Sequence, residues 1–159
     1  MHKSQKEYEI QLHNEAETIA CAAKLADKVS PPCTLFFHGD LGAGKTTFVR
    51  GFLHACGVIG RIKSPTYTLA EVYDLPNQRS AVHFDFYRIE SVNELDNLGL
   101  DEYFKPTSIC LVEWPEKAGN YLSSPDIHCY LSYVGDERLL RMLAASKRGE
   151  VLLTEVFGS

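Results

Sequence analysis

No run of 18 apolar residues occurs in this chain, so a membrane-crossing helix is not expected. The polar opening segment, Met1 to Glu9, has no apolar h-region, so a secretion signal is not expected either. Together these absences suggest a cytoplasmic protein. The five cysteines (Cys21, Cys33, Cys56, Cys110 and Cys129) are odd in number and form no C-x-x-C pair. That pattern points to buried, reduced thiols and away from a disulfide or metal framework. A surplus of base is also missing: 16 Lys and Arg against 21 Asp and Glu give a formal charge of −5. Phosphate-backbone affinity comes from Lys and Arg, so any RNA involved would be held by a partner and touched only indirectly. There are no repeats and no low-complexity tract. At 159 residues, 45% hydrophobic and 23% charged, the chain reads as one domain, 1–159, large enough to bury a core.

What the chain does have is Gly39-Asp40-Leu41-Gly42-Ala43-Gly44-Lys45-Thr46, which fits G-x-x-x-x-G-K-[S/T]. Glycines 39, 42 and 44 permit tight turns and bring bare N–H groups against phosphate oxygens, so the loop from Asp40 through Thr47 reads as a phosphate cradle. Lys45 places a charge where β- and γ-phosphates would lie, and the Thr46 hydroxyl can ligate Mg²⁺. The motif needs a strand before it and a helix after it. Cys33 to Phe37 is β-prone, and Lys45 to Cys56 carries Phe48, Val49, Phe52 and Leu53 at helical spacing before Gly57. A helix starting at Lys45 aims its N–H groups and positive dipole end at the phosphates.

Around this motif the chain alternates strand and helix signals. Tyr8, Ile10 and Leu12 suggest a first strand, and Asn14 with Glu17 opens a helix to about Val29. Gly57 to Leu69 contains Lys63-Ser64-Pro65-Thr66-Tyr67-Thr68 and reads as a loop, in a place where nucleotide-sensing segments occur. Thr66 there is either a hydroxyl for metal or γ-phosphate or a residue of a solvated turn. Thr68 to Tyr73 and Ser80 to Asp85 suggest a hairpin, and Ser91 with Glu94 caps a short helix closed by Gly99. Asp101 to Phe104 suggests a further helical turn. Ile109 to Val112 is apolar throughout, as a strand buried on both faces should be. Asp126 to Tyr133 and Arg138 to Ala145 suggest an antiparallel pair, and Lys147 to Glu150 a turn before the apolar Val151 to Phe157, whose form the pattern leaves open.

A P-loop nucleoside triphosphatase needs a second acid at a neighbouring strand end. Glu113 follows the more apolar strand and is assigned to the metal with Thr46; Asp85 is assigned to orient the attacking water. Lys45, Asp85 and Glu113 thus form the catalytic set. The alternative is that either acid only caps a strand or pairs with Arg88 or Lys117. His83 reads as an ordinary buried or surface histidine. No [N/T]-K-x-D stretch selects guanine, so ATP is the expected nucleotide. Catalysis would rest on positioning and charge neutralisation, slowly, because the motifs supply no evident arginine finger. Two other readings share the same loop: a small-molecule kinase, for which a lid with clustered arginines is missing, and a nucleotide-gated binding module.

Four blocks carry a more specific likeness: the glycine loop through Thr47, Lys63 to Leu69, His83-Phe84-Asp85-Phe86-Tyr87-Arg88, and Cys110-Leu111-Val112-Glu113-Trp114-Pro115. In their order and spacing the chain resembles the bacterial TsaE (YjeE) family, the small ATPase of tRNA threonylcarbamoyladenosine biosynthesis. The resemblance implies a cytoplasmic partner of the TsaB–TsaD pair, supporting turnover of the adenosine modification beside the anticodon. It implies that Thr46 and Glu113 ligate Mg²⁺, and that Lys45, Asp85 and Trp114 serve nucleotide handling or activity. The Ser64 to Leu69 segment matches the family's switch-like loop, which favours a nucleotide contact for Thr66. The likeness fades after about Asn120 and along the first helix, which hold Arg138 and Thr18. The expected fold is an α/β P-loop domain: a mixed sheet, parallel around the nucleotide and flanked by helices.

Overall fold

Alternating Tyr8, Ile10 and Leu12 form strand β1 (Glu7–Leu12) in the computed structural model, which describes residues 6–158. The first residues of the polar Met1–Glu9 segment lie outside the described residues. Helix α1 (Glu15–Lys28) begins at Asn14, whose side chain accepts from the Glu17 N–H at 2.9 Å. The return bond lands one residue upstream, with Glu17 Oε1 accepting from the His13 N–H at 3.0 Å. One orphan helix-end donor, the Glu17 N–H, is satisfied this way, along with the backbone N–H just before the cap. Strand β2 (Cys33–His38) leads through the glycine loop into helix α2 (Lys45–Cys56), which stops at Gly57.

Strands β3 (Ala70–Leu75) and β4 (Arg79–Asp85) form the expected hairpin. Its turn holds Asn77 and Gln78 at φ 65° and 61°, the handedness that matches strand twist. The Ser91–Glu94 capping box is present, but the turns it opens, Val92–Asn97 and then Leu100–Tyr103, are 3₁₀ helices. Strand β5 (Ser108–Glu113) is buried at every residue. Strands β6 (Ile127–Val134) and β7 (Glu137–Ala144) pair antiparallel around Gly135-Asp136.

The chain ends in helix α3 (Lys147–Phe157), which settles the form of the last apolar run. Lys147 to Glu150 is therefore the first turn of a helix, where the sequence suggested a reverse turn. Ser146 caps it by accepting the Gly149 N–H at 3.0 Å. Gly149 serves close packing: a Cβ there would lie 2.0 Å from the Asp126 carbonyl oxygen.

The seven strands form one mixed sheet in the order β1-β7-β6-β2-β5-β4-β3. Its centre, β6-β2-β5-β4, is parallel, and the rims are antiparallel. The three α-helices cover one face and share a core with Leu35, Phe37, Ile109 and Leu111. The other face of the central strands presents Phe36, Val82, Cys110 and Val112, packed under the 3₁₀ segments. β5 thus contributes to both cores, which explains its unbroken apolar run. All five cysteines are free and buried, and burial pushes the Cys33 and Cys110 thiols up to about 12. No described helix is long and apolar enough to cross a membrane.

The Gly149 contact is with backbone, which cannot rotate away. Gly149→Ala should lower stability by about 2 kcal/mol or more, within the range for overpacking. Urea unfolding checks this, and an unchanged midpoint would disprove the close approach.

Candidate active site

Strand parity assembles the acids. On β4, Ala81, His83 and Asp85 point to the helical face; on β5, Ile109, Leu111 and Glu113 do the same. Parallel register sets Phe37, Glu113 and Asp85 side by side at the carboxyl edge of β2, β5 and β4. The glycine loop leaves β2 at that same edge. There, Gly39 runs at φ 148°, so close to β6 that a Cβ would come within 2.4 Å of the Leu131 carbonyl oxygen.

Glu113 is 3% exposed and His83 1%. His83 Nε2 donates to Glu113 Oε2 at 2.6 Å, while Thr46 Oγ1 donates to Glu113 Oε1 at 3.3 Å. Among the described residues His83 Nδ1 is buried without a partner, which fits a bare ring nitrogen, the tautomer that carries its hydrogen on Nε2. The carboxylate is thus held from two sides, one oxygen closed off by the histidine and the other turned toward the loop. Neither Arg88 nor Lys117 pairs with it. His83, which the sequence left as an ordinary histidine, is the group that orients the acid.

Lys45 is 5% exposed and its ammonium donates to the Gly39 carbonyl while resting 3.7 Å over the Trp114 ring. Burial lowers its pKa, and Glu113, Glu116, Asp85 and Asp40 oppose that shift. Asp85 is 9% exposed and accepts the Tyr87 N–H at 3.0 Å. Burial chiefly raises its pKa; the Tyr87 bond counters this and the neighbouring Glu113 adds to it.

One cavity of about 570 Å³ gathers most of the expected residues: Leu41, Gly42, Gly44, Lys45, Thr46, Thr47, Thr66, Asp85, Glu113 and Trp114 all line it. Asp40 and Ala43 do not. Asp40 is exposed, and Ala43 is buried in the core with its N–H donating to the Asp40 carbonyl at 3.1 Å. The cavity also takes in Ser64, Tyr87 and Arg88, which sequence reasoning did not assign. Their signal was available in two of the four blocks, where they flank Thr66 and Asp85. A smaller hollow of about 150 Å³ continues past Gly42, Gly44 and Thr47 to Thr18 and Arg138. The Tyr133 hydroxyl donates to the Gly42 carbonyl, and Arg138 lies 3.9 Å over the Tyr133 ring. A separate cavity of about 490 Å³ at the opposite edge, beside Lys28, Cys33 and Arg148, contains none of the loop.

Among the described residues no group of three or more His, Cys, Asp and Glu side chains is arranged for a metal. Mg²⁺ needs no such cage: it binds one or two protein oxygens, phosphate oxygens and water. The facing oxygens of Thr46 and Glu113 fit that demand, with His83 supporting the carboxylate from behind.

A glycine loop between a parallel strand and a helix, with acids ending the next two parallel strands on one side, defines an α/β fold of the P-loop type. The family described as Threonylcarbamoyl adenosine biosynthesis protein TsaE matches residues 12–141. A tRNA threonylcarbamoyladenosine biosynthesis protein TsaE from Haemophilus influenzae is 41% identical over 120 residues, covering 76% of this chain and 75% of that protein. The protein of the same name from Bacillus subtilis is 38% identical over 147 residues, covering 90% and 89%. The crystal structure of Bacillus subtilis YdiB superposes with a TM-score of 0.82 at 34% identity, covering 98% of this chain and 97% of that one. The chain belongs to the TsaE family.

The buried His83–Glu113 contact has a measurable weight. Hydrogen bonds to charged groups contribute about 1.5–3 kcal/mol. A double-mutant cycle with His83→Ala and Glu113→Gln, followed by urea unfolding, should return a coupling energy in that range. Additive losses from the two substitutions would show that the contact does not hold the acid.

Proposed function

We propose that this protein is a Mg²⁺-dependent ATPase of tRNA threonylcarbamoyladenosine biosynthesis, acting in the cytoplasm with a TsaB–TsaD-like complex. tRNA is then met through the partner. The observation that carries the ATPase reading is the convergence of the Lys45–Thr46 helix start with Glu113 and Asp85 in one cavity. The relatives named for tRNA threonylcarbamoyladenosine biosynthesis support the pathway.

In this reading the loop N–H groups and the α2 amino terminus bind the phosphates. Thr46 and Glu113 would hold Mg²⁺, which would supply charge neutralisation to the phosphates. Lys45 leaves the Gly39 carbonyl for the γ-phosphate. Asp85 orients the attacking water, its carboxylate kept in place by the Tyr87 N–H. Thr66 offers a hydroxyl from the loop that follows α2; Ser64 lies 2.7 Å from that hydroxyl. Trp114 packs beside Lys45 at the mouth of the site.

The test compares Glu113→Ala with Asp85→Ala, reading MgATP binding from the single tryptophan, Trp114, and hydrolysis from phosphate release. Glu113→Ala should weaken MgATP binding about tenfold or more, as expected for a lost charged contact. Asp85→Ala should spare binding and slow hydrolysis about 10²-fold. Adding a purified TsaB–TsaD pair should accelerate phosphate release by the unsubstituted protein. Equal, small effects of both substitutions, or a phosphorylated metabolite in place of free phosphate, would overturn the reading.

A further inference from the structure

Arg88 lines the same cavity as Lys45, Thr66, Asp85 and Glu113, yet it forms no ion pair among the described residues. Its guanidinium rests instead 5.0 Å over the Tyr67 ring. The two residues are anchored very differently. Arg88 lies in a short turn pinned on either side, because Phe86 and Ile89 are buried and the Ile89 N–H donates to the Phe86 carbonyl at 3.1 Å. Tyr67 is 84% exposed and directly follows Thr66 in the loop beside the cavity. An exposed cation–ring contact is weak, whereas a guanidinium bonds phosphate oxygens through two parallel, charge-assisted N–H groups. A phosphoryl group in the cavity would therefore outbid the ring for this cation.

We propose that Arg88 is an arginine finger carried in cis: it leaves Tyr67 and bonds the γ-phosphoryl oxygens as their charge spreads in the transition state. The inference rests on the ATPase reading above and adds a residue and a control to it. Water oxygen bonds to the γ-phosphorus while the bond from that phosphorus to the bridging oxygen breaks. The electron pair of that bond stays with ADP, and the proton lost by water passes to the phosphate and solvent. Arg88 remains a guanidinium throughout and supplies charge only. Tyr67 competes only weakly for that charge, so freeing Arg88 from the ring raises the rate modestly.

Arg88→Ala, Arg88→Lys and Tyr67→Ala separate this role from a structural one, with Trp114 fluorescence reporting two ligands. The first is Mg²⁺ with a non-hydrolysable ATP analogue; the second is Mg²⁺, ADP and aluminium fluoride, which mimics the transferring phosphoryl group. Arg88→Ala should bind the first ligand within about threefold of the unsubstituted protein, yet lose its preference for the second. Hydrolysis should fall by about 10³-fold, the lower end for loss of an arginine finger. Arg88→Lys should not restore the preference, since an ammonium lacks the planar fork. Tyr67→Ala should raise the solitary rate about two- to fivefold, the equivalent of one exposed cation–ring contact. Equal loss of both ligands, or the same fluoride preference and rate as the unsubstituted protein, would overturn the proposal. So would an unsubstituted protein that binds the ATP analogue but shows no fluoride preference. Failure to bind any magnesium nucleotide would instead overturn the ATPase reading beneath it, a distinct result.

Discussion

Burying a carboxylate removes it from water at a cost of several kcal/mol unless protein groups replace the solvent. Glu113, on β5, meets that demand with partners from two other elements, His83 on β4 and Thr46 at the start of α2. Strand register and helix position are therefore not independent. A slip of β4 against β5 by one residue would turn His83 to the opposite face and leave an unpaired buried charge. A shift of α2 would withdraw Thr46. The same three-way constraint fixes which carboxylate oxygen faces the cavity, so the requirement that stabilises the acid also aims it.

Topology then explains why so much of the site lies along one edge. Parallel strands end on the same side, so β2, β5 and β4 deliver the loop, Glu113 and Asp85 together. β6 also runs parallel to β2, which carries the β6–β7 turn to that edge. Tyr133 and Arg138, register partners across that hairpin, thereby reach the glycine loop from the side opposite the acids. The loop is braced between the antiparallel rim and the parallel centre. A wholly parallel sheet would have placed no such return strand against it.

The sequence carried most of this wherever one residue type has one strong use. The glycine loop, the both-face burial of β5, the Asn14 and Ser91 caps and the β3–β4 hairpin follow from local chemistry, and the structure contains each. The acids at 85 and 113 could be ranked because strand ends are legible from apolar runs. Less legible were residues whose meaning depends on a neighbour far along the chain. His83 becomes an orienting group only because parallel register sets β4 beside β5. Gly149 resembles a turn residue until Asp126 is seen against it, and that is why the start of α3 was misread. Arg88 follows an acid in a loop, an unremarkable position until the cavity brings Tyr67 and Thr66 opposite. Ala43 shows the converse: membership in a motif did not make it a lining residue, because its side chain completes the core.

Charge decides which form of nucleotide the proposed ATPase would accept. Asp85 and Glu113 lie side by side at the strand ends, and the Glu113 charge makes the Asp85 charge harder to keep. A bare triphosphate would add more negative charge to this pair, with Lys45 alone directed at it and Arg88 still on Tyr67. In this reading a divalent cation held by Thr46 and Glu113 would reduce that repulsion. Nucleotide without metal is then a poor ligand in this reading because of the same acids that make the metal complex a good one.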